Sequence, residues 1–386
     1  MSIEPLRAQA ERSARPAWAD RWYARAFFGA ALVSVLLALA ILWVEFAGSA
    51  TDKRVALTFL VAFVAVIAFQ VFIGNSGVVS FAPVAFVGLG AYTSALLTTP
   101  PETKKLGSFI PDAPEVLLNA HLPVLLATLV TVVFVMLVAA VFGLVLVRLS
   151  GAAATIATLS LLVIVRVVLG NLDTITRGPK TFFGVPAFTT LGSALGFAVV
   201  VVFLARLYRD SPSGLRLRSS RTDEIASKSA GVNIGRDRLA AWVLSAGVAA
   251  AGGVLYAHLV LSFAPQSFFF DMTFLLLTMA ILGGPTVSGA LVGAAVISVL
   301  TEFLRRQESG FTLGPIEVNE AFGLTTIVLG LIVLLMVIVR PTGLLGRWEL
   351  DEWIGRGVRR HKARRVAAVE GRRAAGARAE EEARDR

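Results

Sequence analysis

A run of about 20 apolar residues, wound as a helix, covers a hydrocarbon core about 30 Å thick. This chain carries such runs again and again. They lie near Ala26–Phe46, Val55–Ile73, Val78–Leu97, Leu122–Val147, Ala152–Gly170 and Leu191–Leu207, and then, after a polar break, near Leu239–Leu261, Phe268–Leu282, Ala290–Leu304 and Phe322–Val339. No water-facing globule suits that pattern. Of 386 residues, 56% are hydrophobic and 16% charged, against about 45–50% and about 25% in a soluble domain. The expected fold is therefore all-α, a polytopic membrane bundle of about 8–10 transmembrane helices. The segment ending in Gly283-Gly284-Pro285 is short, which marks it as a candidate broken or re-entrant helix.

The first 25 residues are mixed in charge and lead into an apolar stretch without a short h-region or a small-residue cleavage pattern. The first helix is thus expected to stay. Basic residues settle an expected orientation, since cytoplasmic loops collect Lys and Arg. On an alternating path, one side holds the amino tail, Arg148, the stretch from Arg206 to Arg238 and the tail from Arg340, with 27 Lys or Arg. The other side holds 8, and Arg166 alone falls within a run. Both termini and the central segment are expected in the cytoplasm. The net charge of +10 then reflects loop bias and attraction to anionic lipid, and needs no nucleic acid.

Domain boundaries follow from the same pattern: a cytoplasmic tail over 1–25, a transmembrane domain over 26–346, and a basic, partly disordered tail over 347–386 whose most basic stretch is Arg359–Arg365. The chain has no cysteine, which removes disulfides and thiolate chemistry. His121, His258 and His361 share no metal-ligand spacing, so neither metal nor cofactor is expected.

The central segment, Ser211 to Ile234, interrupts the apolar chain with charge. Ser220 is placed to cap a helix with Asp223 three residues on, Asp223 and Glu224 fall in its first turn, and Gly231 supplies a left-handed stop. A short helix of about ten residues, near 220–232, is expected to lie along the membrane surface. Local features leave two readings open: a surface helix without a partner, or one that docks in a partner's groove.

Several motifs bear on that choice. Ser211-Pro212-Ser213-Gly214, Arg221-Thr222-Asp223-Glu224-Ile225-Ala226 and Gly231-Val232-Asn233 stand in order, followed by Arg238-Leu239-Ala240-Ala241-Trp242, Ser245-Ala246 and Gly252 to Ala257. Ser80-Phe81 with Gly88 to Leu97, Leu282-Gly283-Gly284 with Thr286, Gly289, Gly293 and Ala294, and Arg340 to Gly346 complete the set. In order and spacing this resembles the LivM-type permeases of bacterial branched-chain amino-acid ABC importers, over roughly Gly74 to Gly346. The resemblance implies a transport subunit that performs no chemistry. It also implies a second permease subunit, separate cytoplasmic ATPases and an external solute-binding protein. The chain itself lacks a Gly-x-x-x-x-Gly-Lys-Ser/Thr phosphate loop. By the same resemblance the helix around Arg221 to Gly231 is a coupling helix, with Arg221, Asp223 and Glu224 as polar contacts, Ala226 and Ala230 allowing close packing, and Gly231 and Asn233 at the return to the membrane.

Polar residues inside apolar runs find no partners in lipid, which makes Asn75, Ser76, Ser80, Thr155, Thr158 and Ser160 the pore or solute candidates. The competing role for each hydroxyl is a bond to its own helix backbone. Arg166 needs a partner or an interface. Relatives of this type carry an acid three positions earlier where this chain has Val163, so Arg166 is expected to snorkel or to meet Glu302. Glycines such as Gly289 and Gly293 are expected at helix contacts. A secondary transporter driven by an ion gradient is the rival class, but Glu45, Asp173, Asp271 and Glu302 all fall near helix ends rather than within spans. Urea and amides stand beside amino acids as solutes.

Overall fold

The structure is a computed structural model that describes residues 22–106, 109–110, 113–149, 151–308, 311–313, 316–318, 323–340, 343–346 and 349–351. The chain divides into a unit over Met1–Arg347 and a second over Trp348–Arg386. The first is described here. Apart from 349–351 the second lies outside the described residues, and the expected basic tail with it, as does most of the amino tail.

Each of the ten apolar runs carries a helix. We label them α1 (Trp22–Ala47), α2 (Ala50–Phe69), α3 (Ala82–Thr98), α4 (Val124–Leu146), α5 (Gly151–Asn171) and α6 (Leu191–Asp210), then, after two polar helices α7 (Pro212–Thr222) and α8 (Glu224–Ser229), α9 (Ile234–Val260), α10 (Phe270–Gly283), α11 (Val287–Glu308) and α12 (Leu324–Val339). Eight of them are long and apolar enough to cross a membrane, counting α10 with the 3-10 turn Pro265–Phe268 before it. At about 1.5 Å per residue, the 14 residues of α10 alone reach about 21 Å, short of the hydrocarbon thickness. The helical class stands; the one departure among the described residues is a small hairpin of β1 (Phe311–Leu313) and β2 (Ile316–Val318) between α11 and α12, paired antiparallel with Leu313 opposite Ile316.

The bundle is built around α9. Of the most apolar stretches of α2 and α9, 72% is buried, against 28–33% for α1, α4, α5 and α6, so the first pair is the interior and the others the lipid-facing wall. Helix α9 packs on α2, α3 and α4, and α10 on α11. Association in lipid rests on close backbone approach rather than on the hydrophobic effect. At Gly90 a Cβ would stand 2.6 Å from the Ala250 carbonyl oxygen, so α3 and α9 touch backbone to backbone. Trp242 fixes the register there. Its ring meets Phe72 and Phe86 edge-on at 5.3 Å each, and its Nε1 donates to the Ala139 carbonyl at 2.9 Å, which satisfies the polar edge of a buried indole.

Two interruptions shape one end of the bundle. Helix α2 closes in a π-turn, Gln70–Gly74, before the chain breaks ahead of α3. Between α10 and α11 stands Gly283-Gly284-Pro285, where Gly284 has φ 101°, open only to glycine, and Thr286 accepts from the Gly289 amide to start α11.

Candidate functional site

The polar stretch between α6 and α9 folds as two helices, not the one expected. Ser211 caps α7, its hydroxyl accepting from the Gly214 amide, and Pro212 occupies the first helical position, where a missing N–H costs nothing. Asp223 ends α7 and begins α8 in the same residue, its carboxylate accepting from the Ala226 amide at 2.9 Å. Ser220 is therefore not a cap. It is buried inside α7, its hydroxyl donating to the Leu217 carbonyl. Gly231 takes the left-handed conformation expected of it, φ 79°, and Asn233 caps α9 by accepting from the Arg236 amide. With that cap α9 starts at Ile234, about a turn earlier than its apolar run.

A carboxylate holds α7 in place. Asp237, nearly fully buried in the first turn of α9, accepts from Arg216 Nε at 2.8 Å and Nη2 at 2.9 Å and from the Ser213 hydroxyl at 2.6 Å, while Tyr208 donates to its backbone carbonyl. Fork geometry of this kind is stronger and more directional than a single ion pair. The Arg216 guanidinium is in turn held above its usual pKa by the hydrogen bond to Asp237. Helix α8 is tied more lightly. Glu224 meets Lys228 at 2.9 Å and Arg238 at 3.9 Å, and the hydrogen bond from Lys228 keeps its carboxyl below the ordinary range. Arg238 also donates to the Leu149 carbonyl, which brings the α4–α5 turn to the same end.

Of the residues expected at a coupling helix, Arg221, Asp223, Ala226, Ala230, Gly231 and Asn233 are exposed and Glu224 half-buried. Ile225 adds an apolar side chain that is 79% exposed, whereas Ser227 points inward. Arg221 also reaches back into the bundle: its Nη1 lies 3.4 Å from the Gly74 carbonyl, and its aliphatic stem packs over Gly77.

Five of the six pore candidates gather near the break between α2 and α3. Asn75 and Ser76 follow the π-turn, their side chains donating to the Val71 and Phe72 carbonyls. The Ser80 hydroxyl accepts from the Ala82 amide at the start of α3. Thr155 donates to the Val79 carbonyl and Thr158 accepts from the Phe81 amide, so the first turns of α5 hold the broken segment. Ser160 bonds its own helix at Ile156. Buried Asn75 Oδ1 meets no partner. Gln70, absent from the sequence candidates, reaches across to another helix, donating from Nε2 to the carbonyls of Ala280 at 3.1 Å and Gly284 at 2.5 Å while its buried Oε1 meets no partner. It carried the same signal as Asn75, a polar residue in an apolar run.

Arg166 does not meet Glu302. Its guanidinium donates to Gln266 Oε1 at 2.8 and 2.5 Å and lies 4.4 Å from the centre of the Phe269 ring. Glu302 pairs with Arg305 three residues on, at 2.8 Å, which accounts for its charge locally.

Comparison with known proteins identifies a family. The family described as "Branched-chain amino acid transport system / permease component" matches residues 53–339. The high-affinity branched-chain amino acid transport system permease protein LivM of Escherichia coli (strain K12) is 26% identical over 346 residues, covering 80% of this chain and 73% of its own length. That of Salmonella typhimurium (strain LT2) is 27% identical over 344 residues, with the same coverage. No solved structure matches the chain. The matched span runs from the second helix to the last, so the chain belongs to this family of permease components and is the multi-pass membrane transport subunit of an ABC importer.

Proposed function

We propose that the α7–α8 surface is where a cytoplasmic ATPase docks, and that this subunit carries branched-chain amino acids across the membrane. The observation that carries the reading is the two-sidedness of the pair. Its inner side is fastened by Asp237, Arg216 and Arg238, while its outer side offers Ile225, Ala226, Ala230 and the Gly231 turn with nothing packed on them. An exposed apolar side chain ringed by Arg221, Asp223 and Glu224 has the make-up of a protein contact.

With α7 and α8 in the cytoplasm, an alternating path puts both termini there too, in keeping with the excess of basic residues on that side. The transmembrane domain over 26–346 then forms half of a pore. A second permease subunit supplies the other half, and an external binding protein delivers the solute. Relatives named for high-affinity branched-chain amino acid transport favour leucine-like solutes over urea or amides. Within the pore, Asn75 has the strongest claim to touch solute, through its unpartnered Oδ1. Ser76, Ser80, Thr155 and Thr158 line or support the same segment, and Ser160 stands further along α5.

Two substitutions test the docking. Glu224→Arg places a third cation beside Lys228 and Arg238, and Gly231→Val forces a β-branched residue to positive φ. Both proteins are expected to reach the membrane with their partners expressed, and both to lose ATP-linked uptake of radiolabelled leucine. Normal uptake in both would sink the reading.

A further inference from the structure

Helix α7 is flanked by two arginines that reach the same place. Arg209, two residues before Ser211, donates from Nη1 to the Pro285 carbonyl at 3.0 Å. Arg221, at the other end of α7, approaches the Gly74 carbonyl at 3.4 Å. Those two carbonyls belong to the two interruptions of the bundle, and the interruptions are in contact: a Cβ on Gly74 would lie 3.0 Å from the Pro285 oxygen. The guanidiniums therefore straddle a joint between the π-turn of α2 and the turn that separates α10 from α11. What fastens the joint from inside is Gln70, whose amide spans the last turn of α10 by donating to both the Ala280 and Gly284 carbonyls.

Three physical facts make this a moving part rather than a fixed strut. The Gly284 carbonyl lies past the end of α10, where no further helical amide reaches it, so the Gln70 side chain supplies its donor, while the Ala280 carbonyl accepts from Gln70 in addition to the Gly284 amide. A π-turn is a helix segment that can change register without losing its backbone bonds, and such turns gather at functional sites. Carbonyls held by side-chain donors, finally, can be released and recaptured without unfolding either helix. Displacing α7 pulls on both sides of the joint at once, because Arg221 stands in its last turn and Arg209 ends α6 two residues before the Ser211 cap.

We propose that Gln70 is a positioning residue of the transport cycle: it clasps the π-turn of α2 to the α10–α11 turn, and movement of α7, applied through Arg209 and Arg221, opens and closes that clasp. This rests on the docking of an ATPase at α7–α8 proposed above. Without the clasp, closure of the ATPase would still move α7, but the membrane helices would no longer follow in step.

The test uses the whole importer in liposomes, with its second permease, ATPases and binding protein, comparing wild type with Gln70→Met, Arg209→Met and the double variant. Two quantities are read: ATP hydrolysis without binding protein, and radiolabelled leucine taken up per ATP. Gln70→Met is expected to leave assembly intact, raise unstimulated hydrolysis, and lower uptake per ATP about tenfold, within the range of ordinary coupling between sites. Arg209→Met acts on the same joint, so the double variant should do little more than either single one. If uptake and hydrolysis fall together, in proportion to the assembled protein, or if coupling is unchanged, the clasp is wrong. Should Gln70→Met fail to assemble, Arg209→Met decides alone by the same ratio. A wild-type complex that neither hydrolyses ATP nor imports leucine overturns the docking reading and the clasp with it, whereas a coupled wild type beside coupled variants overturns the clasp only.

Discussion

The two ends of the bundle are closed by different materials. At one end lie the α6–α9 connection, the break after α2 and the α10–α11 turn, joined by guanidiniums, a carboxylate and a glutamine amide. At the other, loops meet in an aromatic cluster: Tyr92 packs edge-on to Phe263 at 5.0 Å, Phe109 to Phe182 at 4.9 Å, and Phe263 to Phe268 at 5.5 Å. A backbone bridge between Phe182 and Phe263, 2.8 and 3.0 Å, stitches two of these loops together. Apolar packing is non-directional and close to all-or-none, so it seals. Directional bonds to turn carbonyls have alternative partners, so they can switch. The contrast teaches that a transport subunit can separate the part that keeps its shape from the part that takes up force.

That division can be broken by substitution. Phe268→Ala, at a ring that is 2% exposed, should cost about 3–5 kcal/mol of stability and lower the melting temperature in detergent, while uptake per folded molecule holds. A stable variant with failed transport would instead make the aromatic end a gate. Asp237→Ala removes the acceptor of the Arg216 fork and of the Ser213 hydroxyl, so α7 loosens. Its expected signature is the reverse, a several-fold loss of uptake per ATP with a smaller change in melting temperature. Equal losses in both would erase the distinction between the ends.

The smallest effect concerns Lys104, which sits fully buried in the loop before α4 and donates to the Leu117 and Ala120 carbonyls at 3.0 and 2.6 Å. Burial pushes its pKa down to about 8 from 10.5. Between those values the unfolded loop binds more protons than the folded one, so the loop gains stability as pH rises from about 8 toward 10.5. Limited proteolysis of residues 99–121 should slow over that window. In Lys104→Met the slope should vanish; an unchanged slope would assign the effect to another group.

How much of this was legible depended on how local each cause is. The ten helices were plain because a membrane helix needs only a contiguous apolar run. The split of the polar stretch was not, because three cap-forming residues compete within it. Ser220 with Asp223 imitates a helix start, yet Ser211 followed by Pro212 is the stronger signal, and Asp223 then opens a second helix on its own account. Gly231 was readable since positive φ leaves a residue-type mark. Partners far apart in the chain left none. Nothing near Arg166 announces Gln266, 100 residues on, and nothing near Gln70 announces Gly284, 214 residues on. The hydroxyls named for the pore fared as polar residues in lipid generally do: Ser76 and Ser160 are bound to their own helices, and Thr155 and Thr158 to a neighbouring turn.

The π-turn of α2 has one more consequence. It carries one residue beyond the α-helical register, so a single deletion anywhere in Gln70–Gly74 could be absorbed as an uninterrupted α-helix. The helix would heal with the residues after it facing nearly as before, whereas the same deletion in an ordinary α-helical stretch turns everything after it by about 100°. Asn75, Ser76 and Gly77 would keep their neighbours although the chain had become shorter. For this stretch, then, an insertion and a deletion are not mirror images of one another: the turn has one residue to lose and no room marked for another.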